Sequence, residues 1–348
     1  MKGPPPYIVR RFVLAPLAIL LALVLLGTFP IWLIAAAFAS RYVPGRWRPL
    51  RVGWFFFLYT ELQAIMIVVY FAQWIASGFG ARLKTPRFQD LTYRTAAWWL
   101  RRVMGSARRT FSLQIDFHGD DLAGERPLLL LTRHAGPGDS FLLVDDVLNF
   151  LDRRPRIVLK DMLRVDPCID IPLSRVPTRF VPSRGRAGAA VVEAIRDLAG
   201  TMGRRDAFVI FPEGGNFTVK RRERAIAKLD EIGRPDLADR ARAMIHVLPP
   251  KPQGVLTAIA AAPDADVAFI GHVGLERLST LRALWRGIPM DSAIEATAWR
   301  VPAEQVPPPE EREAWLYDHW QQIDDWVDAR LTASADPAEP TEPAATES

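Results

Sequence analysis

Cysteine is almost absent from this chain. Cys168 is the only one in 348 residues, so no internal disulfide can form, and neither a cysteine-rich zinc site nor a secreted disulfide framework can be built. Cys168 itself reads as a buried, inert thiol. Histidine is scarce too: His118, His134, His246, His272 and His319 lie in separate segments without paired ligand spacing, and His-Glu-x-x-His is missing, so no metal site is expected. A Gly-x-Ser-x-Gly nucleophile elbow and the Gly-rich phosphate loops of nucleotide-binding proteins are also missing. There is no internal repeat.

Charge is missing locally. Phe12 to Ser40 contains no charged residue, and Val52 to Ala81 contains only Glu61. A helix of about 27 residues rising about 1.5 Å each exceeds the ~30 Å hydrocarbon core, so the first stretch is long enough to span. A signal peptide is the alternative, because Lys2, Arg10 and Arg11 precede the run and Ala37-Phe38-Ala39 resembles a cleavage site. Signal cores are only about 7–15 residues long, however, and here a second apolar stretch follows. Arg41, Arg46, Arg48 and Arg51 join the two stretches, and Arg10, Arg11, Arg82, Lys84 and Arg87 flank them. A full crossing would strand the joining arginines on the far side. A hairpin held in one leaflet keeps every basic flank on the cytoplasmic side. The expectation is a membrane protein with a hairpin that does not fully cross and a catalytic domain on the cytoplasmic side.

What is present is a basic α/β chain. Hydrophobic residues make up 49% and the net charge is +5, while the mean hydropathy is only +0.05 and the pI about 9.5, so apolar content is concentrated in the N-terminal quarter. The charge suits phospholipid headgroups or nucleic acid. The arginines cluster beside apolar helices and no recognition motif appears, which disfavours nucleic acid. Asp90 to Gly105 reads as an amphipathic helix, placed either at the headgroup boundary or against the domain surface. From Phe111 onward strands and helices alternate. Strands are expected at Ser112–Phe117, Pro127–Thr132, Arg156–Leu159, Thr178–Pro182, Ala207–Phe211, Val267–Gly271 and Ala293–Val301. Helices are expected at Ser140–Leu151, Arg186–Ala199, Arg221–Ile232, Pro235–Ala243, Gly254–Ala261 and Glu310–Leu331. The chain thus divides into a membrane hairpin with basic flanks (1–89), an α/β domain (90–332) and a disordered acidic tail (333–348).

Two strand ends carry chemistry. After the apolar run Leu128–Leu131 comes Thr132-Arg133-His134-Ala135-Gly136-Pro137-Gly138-Asp139-Ser140, which sets His134 and Asp139 on a turn at the end of the sheet. A carboxylate bonded to one imidazole nitrogen fixes the tautomer, and the other nitrogen can take a proton from a hydroxyl. Asp139 as a helix cap beside a solvated His134 is the bland alternative. Ala207–Phe211 runs likewise into Pro212-Glu213-Gly214-Gly215-Asn216, where Glu213 would accept backbone N–H bonds, hold substrate, or do both. Arg184 follows a third strand end and could bind phosphate or form a surface ion pair. Trp315, Trp320 and Trp326 fall at near-helical spacing and are expected to pack.

His134-x4-Asp139, Arg184 after a strand and Phe211-Pro212-Glu213-Gly214, in that order, resemble the glycerolipid acyltransferase family that includes 1-acylglycerol-3-phosphate acyltransferases. The resemblance covers roughly Phe111 to Ala303, and the hairpin looks like that family's membrane anchor. Val158 to Leu163, ahead of Pro167, and His246 to Gly254 are lesser matches. The latter is similar to a proline-containing motif of the branch with lysocardiolipin acyltransferases. The resemblance implies a mixed sheet flanked by helices with an N-terminal two-helix anchor. It implies acyl transfer, without a covalent acyl-enzyme, from acyl-CoA or acyl carrier protein to a lysophospholipid hydroxyl, with no cofactor. It implies His134 as base, Asp139 as its orienter, Arg184 on the acceptor's phosphate, and Glu213 with Gly214 shaping the acceptor pocket. Two positions depart from the pattern: Arg133 stands where the family often has Asn, and Gly215-Asn216 where many members have Thr-Arg. The basic run Lys220, Arg221, Arg222 and Arg224 either compensates or is a solvated helix face. A membrane lipid-binding protein on the same fold, with lapsed catalysis, is the alternative function.

Overall fold

The computed structural model describes residues 3–182, 187–278, 285–290 and 293–335. Its first apolar stretch is not one helix. A short turn, α1 (Tyr7–Val9), passes through a π-type segment into α2 (Ala15–Gly27), and the chain breaks at Thr28 before α3 (Phe29–Ala39). Thr28 has left helical geometry (φ −99°, ψ 5°). Pro30, which has no amide to donate, sits in the first turn of α3, where a helix tolerates it. The single spanning helix expected over Phe12–Ser40 is therefore two. The run Tyr7–Gly27 and the next helix, α4 (Arg48–Ala76), are each long and apolar enough to cross a membrane by length and composition. α3 is a shorter apolar helix.

α5 (Pro86–Phe111) begins before the expected Asp90, so a boundary at residue 89 falls inside its first turn. It runs antiparallel along α4: Arg51 donates to the Thr110 carbonyl at 2.6 Å, and Gln73 donates to Thr95 Oγ1 at 2.8 Å. Trp99, Leu100 and Val103 are buried with Leu62, Met66 and Tyr70 between the two helices. Burial of this face settles the helix as one packed on its neighbours.

Downstream come β1 (Ile115–Gly119), β2 (Leu128–Thr132), α6 (Pro137–Asp145), β3 (Arg154–Lys160), α7 (Pro167–Leu173), β4 (Thr178–Val181) and α8 (Ala187–Ala199). Then follow β5 (Asp206–Ile210), α9 (Val219–Glu231), α10 (Pro235–Ala243), α11 (Pro252–Ala261), β6 (Asp266–Val273), β7 (Ile294–Val301) and α12 (Arg312–Ala335). Every expected strand is present, and together they make one sheet in the order β1-β7-β6-β2-β5-β3-β4. β6, β2, β5, β3 and β4 are mutually parallel, whereas β7 runs antiparallel to β6 and carries β1 parallel to itself. The fold is thus α/β, a mixed sheet flanked by helices.

Parallel strands are covered on both faces, which is why β2 and β6 are buried at every residue. Alternation splits the core. Leu129, Leu131 and Phe208 pack with Val255 and Trp320 on one face, while Leu128, Leu130 and Val209 pack with Val147 on the other. Trp315 and Trp326 also pack against the first of these clusters. α7, not expected from the sequence, carries Cys168, whose thiol is buried and pushed up by that burial. It also carries the buried Asp170, which pairs with Arg10 and Arg11 and so fastens the start of the apolar hairpin to the domain. α12 extends to Ala335, past the expected start of the tail, and 336–348 lie outside the described residues.

Candidate active site

β2 and β5 are direct neighbours, with Leu131 paired to Ile210, so the turns that leave their carboxyl ends emerge side by side. The backbone of His134 is clamped between them. Its amide donates to Glu213 Oε1 at 3.2 Å, and its carbonyl accepts from the Phe217 amide at 3.0 Å. The two polar turns read from the sequence are therefore one site.

Within it, His134 Nδ1 lies 2.8 Å from Asp139 Oδ2. An ionised carboxylate only accepts, so Nδ1 carries the proton and Nε2 is left with a lone pair. The imidazole packs against Phe211 at a tilt of 33° with ring centroids 4.3 Å apart, and its side chain keeps 18% of its surface exposed. Asp139 is 4% exposed. It stands in the first turn of α6, where Oδ2 also accepts the Gly136 amide at 3.0 Å and Oδ1 accepts from the Ser140 hydroxyl at 3.2 Å. Burial alone would raise this carboxyl; the His134 hydrogen bond and charge and the Gly136 amide outweigh it and hold Asp139 below the ordinary carboxylate range. Capping the helix and orienting the ring are thus one arrangement.

Glu213 takes up the backbone-accepting role that its turn offered. It is 2% exposed, and its two oxygens accept from the His134 amide at 3.2 Å and the Leu248 amide at 3.4 Å. Burial pushes its carboxyl up to about 8, against the opposing charge of Arg133. It is a tie between three chain segments. Gly214, beside it, is exposed and has a left-handed backbone (φ +67°), which glycine adopts without strain. Arg184 lies outside the described residues.

Arg133, at the end of β2, is a buried cation. Its side chain is 2% exposed. It pairs with Glu276 and donates to the carbonyls of His272 at 2.6 Å and His246 at 3.0 Å, pinning the end of β2 to the end of β6 and to the 246–250 segment. His272 returns a bond from Nε2 to the Arg133 carbonyl at 3.1 Å. Burial, with the Arg133 charge, lowers the pKa of His272 and keeps its ring neutral. Further out, the buried Asp324 of α12 accepts the amides of Ile245, His246 and Val247 at 2.9, 2.6 and 3.0 Å. Sequence reasoning missed His272 and Asp324 as supports. The readable signal for Asp324 was a carboxylate on the apolar stripe formed by Trp320, Ile323 and Val327. Among the described residues no cluster of His, Cys, Asp and Glu could hold a metal ion.

No family model and no curated protein matches the chain. Among solved structures it is similar to the 1-acyl-sn-glycerophosphate acyltransferase PlsC from Thermotoga maritima. The two share 13% identity over 78% of this chain and 96% of that one, with a TM-score of 0.42.

Proposed function

We propose that the chain is a membrane-seated O-acyltransferase that moves a fatty acyl group from a thioester, acyl-CoA or acyl carrier protein, to the hydroxyl of a lysophospholipid. The observation that carries the reading is the His134 Nδ1 to Asp139 contact of 2.8 Å, with Nδ1 spent on the carboxylate and the ring still reachable from solvent. His134 Nε2 takes the hydroxyl proton, the oxygen attacks the thioester carbonyl, and the tetrahedral adduct collapses as the C–S bond breaks. The imidazolium, stabilised by the ionised Asp139, returns its proton to the departing thiolate. An intact base and orienter favour this over a lipid-binding protein with lapsed catalysis. Arg184 keeps its proposed role on the acceptor's phosphate, and Glu213 with Gly214 their proposed place at the acceptor pocket.

The hairpin supplies the setting. α4 is tied to the domain at both ends, by Arg48 donating to the Ile288 carbonyl at 2.7 Å and by Gln73 at Thr95. A helix held lengthwise in this way favours seating in one leaflet over crossing. Its outward residues Phe56, Val68 and Phe71, with Leu17, Leu20 and Leu23 of α2, leave an exposed apolar surface. Seating the site there lets both acyl tails remain in lipid while the polar ends react. The test is incubation of membranes carrying the protein with labelled acyl-CoA or acyl carrier protein and a panel of lysolipids. Labelled diacyl phospholipid is the expected product, and no transfer to any lysolipid from either donor would overturn the reading.

A further inference from the structure

β6 is buried at every residue, yet it carries two titratable side chains. Asp266, its first residue, is paired with Arg300. His272, its next to last, meets no carboxylate among the described residues, and its ring makes one hydrogen bond, from Nε2 to the Arg133 carbonyl at 3.1 Å. A carbonyl oxygen only accepts, so Nε2 carries the ring's proton. The buried Nδ1 is left with a lone pair that finds no partner among the described residues. An unpaired buried acceptor costs stability, and an apolar side chain in this strand would avoid that cost. The imidazole is therefore explained by what its one bond holds.

It holds the peptide unit that leads into His134. The Arg133 amide continues the β2 ladder onto β6 by donating to the Ile270 carbonyl at 3.2 Å. Beyond that bond side chains take over from the backbone. The Arg133 carbonyl accepts from His272 and, at 3.2 Å, from the adjoining Thr132 hydroxyl. At the other end of the same peptide, the His134 amide donates to Glu213 Oε1 at 3.2 Å. Arg133 Nη1 donates back to the His272 carbonyl at 2.6 Å, which locks the two residues together. A planar peptide fixed at both its oxygen and its amide hydrogen has no freedom to turn. Such a turn would swing the His134 side chain away from Asp139, which lies 2.8 Å from Nδ1. A neutral donor also suits the place. Burial and the Arg133 charge keep the His272 ring uncharged, whereas a further cation here would oppose the positive charge that His134 acquires on taking a proton.

We propose that His272 is a positioning residue for the acyl transfer: by holding the Arg133 carbonyl, it sets the backbone orientation from which the His134 ring meets both Asp139 and the acceptor hydroxyl. The inference rests on the acyl-transfer reading and adds to it a residue from the far side of the β2 strand end. His272 touches no substrate in this account and acts only through the base.

The experiment compares full-length wild type in detergent micelles with His272→Gln, whose side-chain amide can reach the same carbonyl, and His272→Leu, which fills the space without a donor. For each protein kcat, the KM for lysolipid and for acyl thioester, and the unfolding midpoint are measured, and the His134 Nδ1 proton is followed by NMR without substrate. His272→Leu is expected to lower kcat about tenfold with both KM values unchanged, and to move the Nδ1 proton upfield or broaden it away, while His272→Gln keeps most of both. If the leucine variant does not fold, His272→Asn, whose shorter amide falls short of the carbonyl, takes its place with the same expectation. Wild-type kcat in the folded variant that lacks the donor, a loss carried by KM, an unmoved Nδ1 proton, or a glutamine variant as slow as the leucine one would each overturn the proposal. An Nδ1 proton that responds to His272 in a protein that transfers no acyl group would retain the positioning of the ring and remove the acyl-transfer reading.

Discussion

The turn after β2 and the turn after β5 each bring a buried carboxyl to His134, and they hold it in opposite states. Asp139 bonds to the ring, to the Gly136 amide and to the Ser140 hydroxyl, and is held below its ordinary value. Glu213 touches only the longer-range amides of His134 and Leu248, and burial drives it up to about 8. In the proposed reaction the carboxylate that stabilises an imidazolium is kept charged by the ring it orients. The one that fastens chain segments accepts two long amide bonds that do not offset its burial, so it can be neutral.

Replacing the orienter breaks this contrast most severely. Asp139→Asn should lower kcat about 10²–10³-fold with KM little changed, because an amide no longer stabilises the imidazolium and can favour the wrong tautomer. Steady-state kinetics check this. Its stability signature has a definite sign: a depressed carboxyl contributes above its ordinary value of 3.8, and that contribution is lost as pH falls below it. Denaturation midpoints of the Asn variant should therefore be less sensitive to acid than wild type.

Arg133→Met tests the frame that holds both turns. It strips the partner from Glu276 and leaves the carbonyls of His272 and His246 without their donor, so a loss of about 2–4 kcal/mol in denaturant unfolding is expected. Smallest is Glu213→Gln. A raised carboxyl keeps its proton in the folded state after the unfolded chain has released it, so stability falls as pH rises from about 4.5 to about 8. The glutamine variant should show a flatter stability profile across that window, and its kcat should change less than that of Asp139→Asn.

Much of this was legible in the sequence because periodicity reports burial. The runs Leu128–Leu131 and Ala207–Phe211 announced buried strands ending in polar turns, and all seven strands lie where alternation with helices put them. Partners distant along the chain were not legible. Nothing local in Glu213 says that its oxygens reach the amides of His134 and Leu248, and Arg133 carries no mark of its bond to Glu276. The reversal of β7 against β6 was hidden for the same reason, since each strand's own pattern is indifferent to the direction of its neighbour. The break at Thr28 had a local signal in Pro30, which stands in the first turn of the helix that follows.

The proposed base is best tested by a single comparison, the turnover of purified His134→Ala against wild type with the same thioester and lysolipid, alongside vesicle binding and the unfolding midpoint. Turnover should fall at least about a thousandfold while binding and folding stay as in wild type. Equal turnover in the alanine variant would contradict the role given to His134.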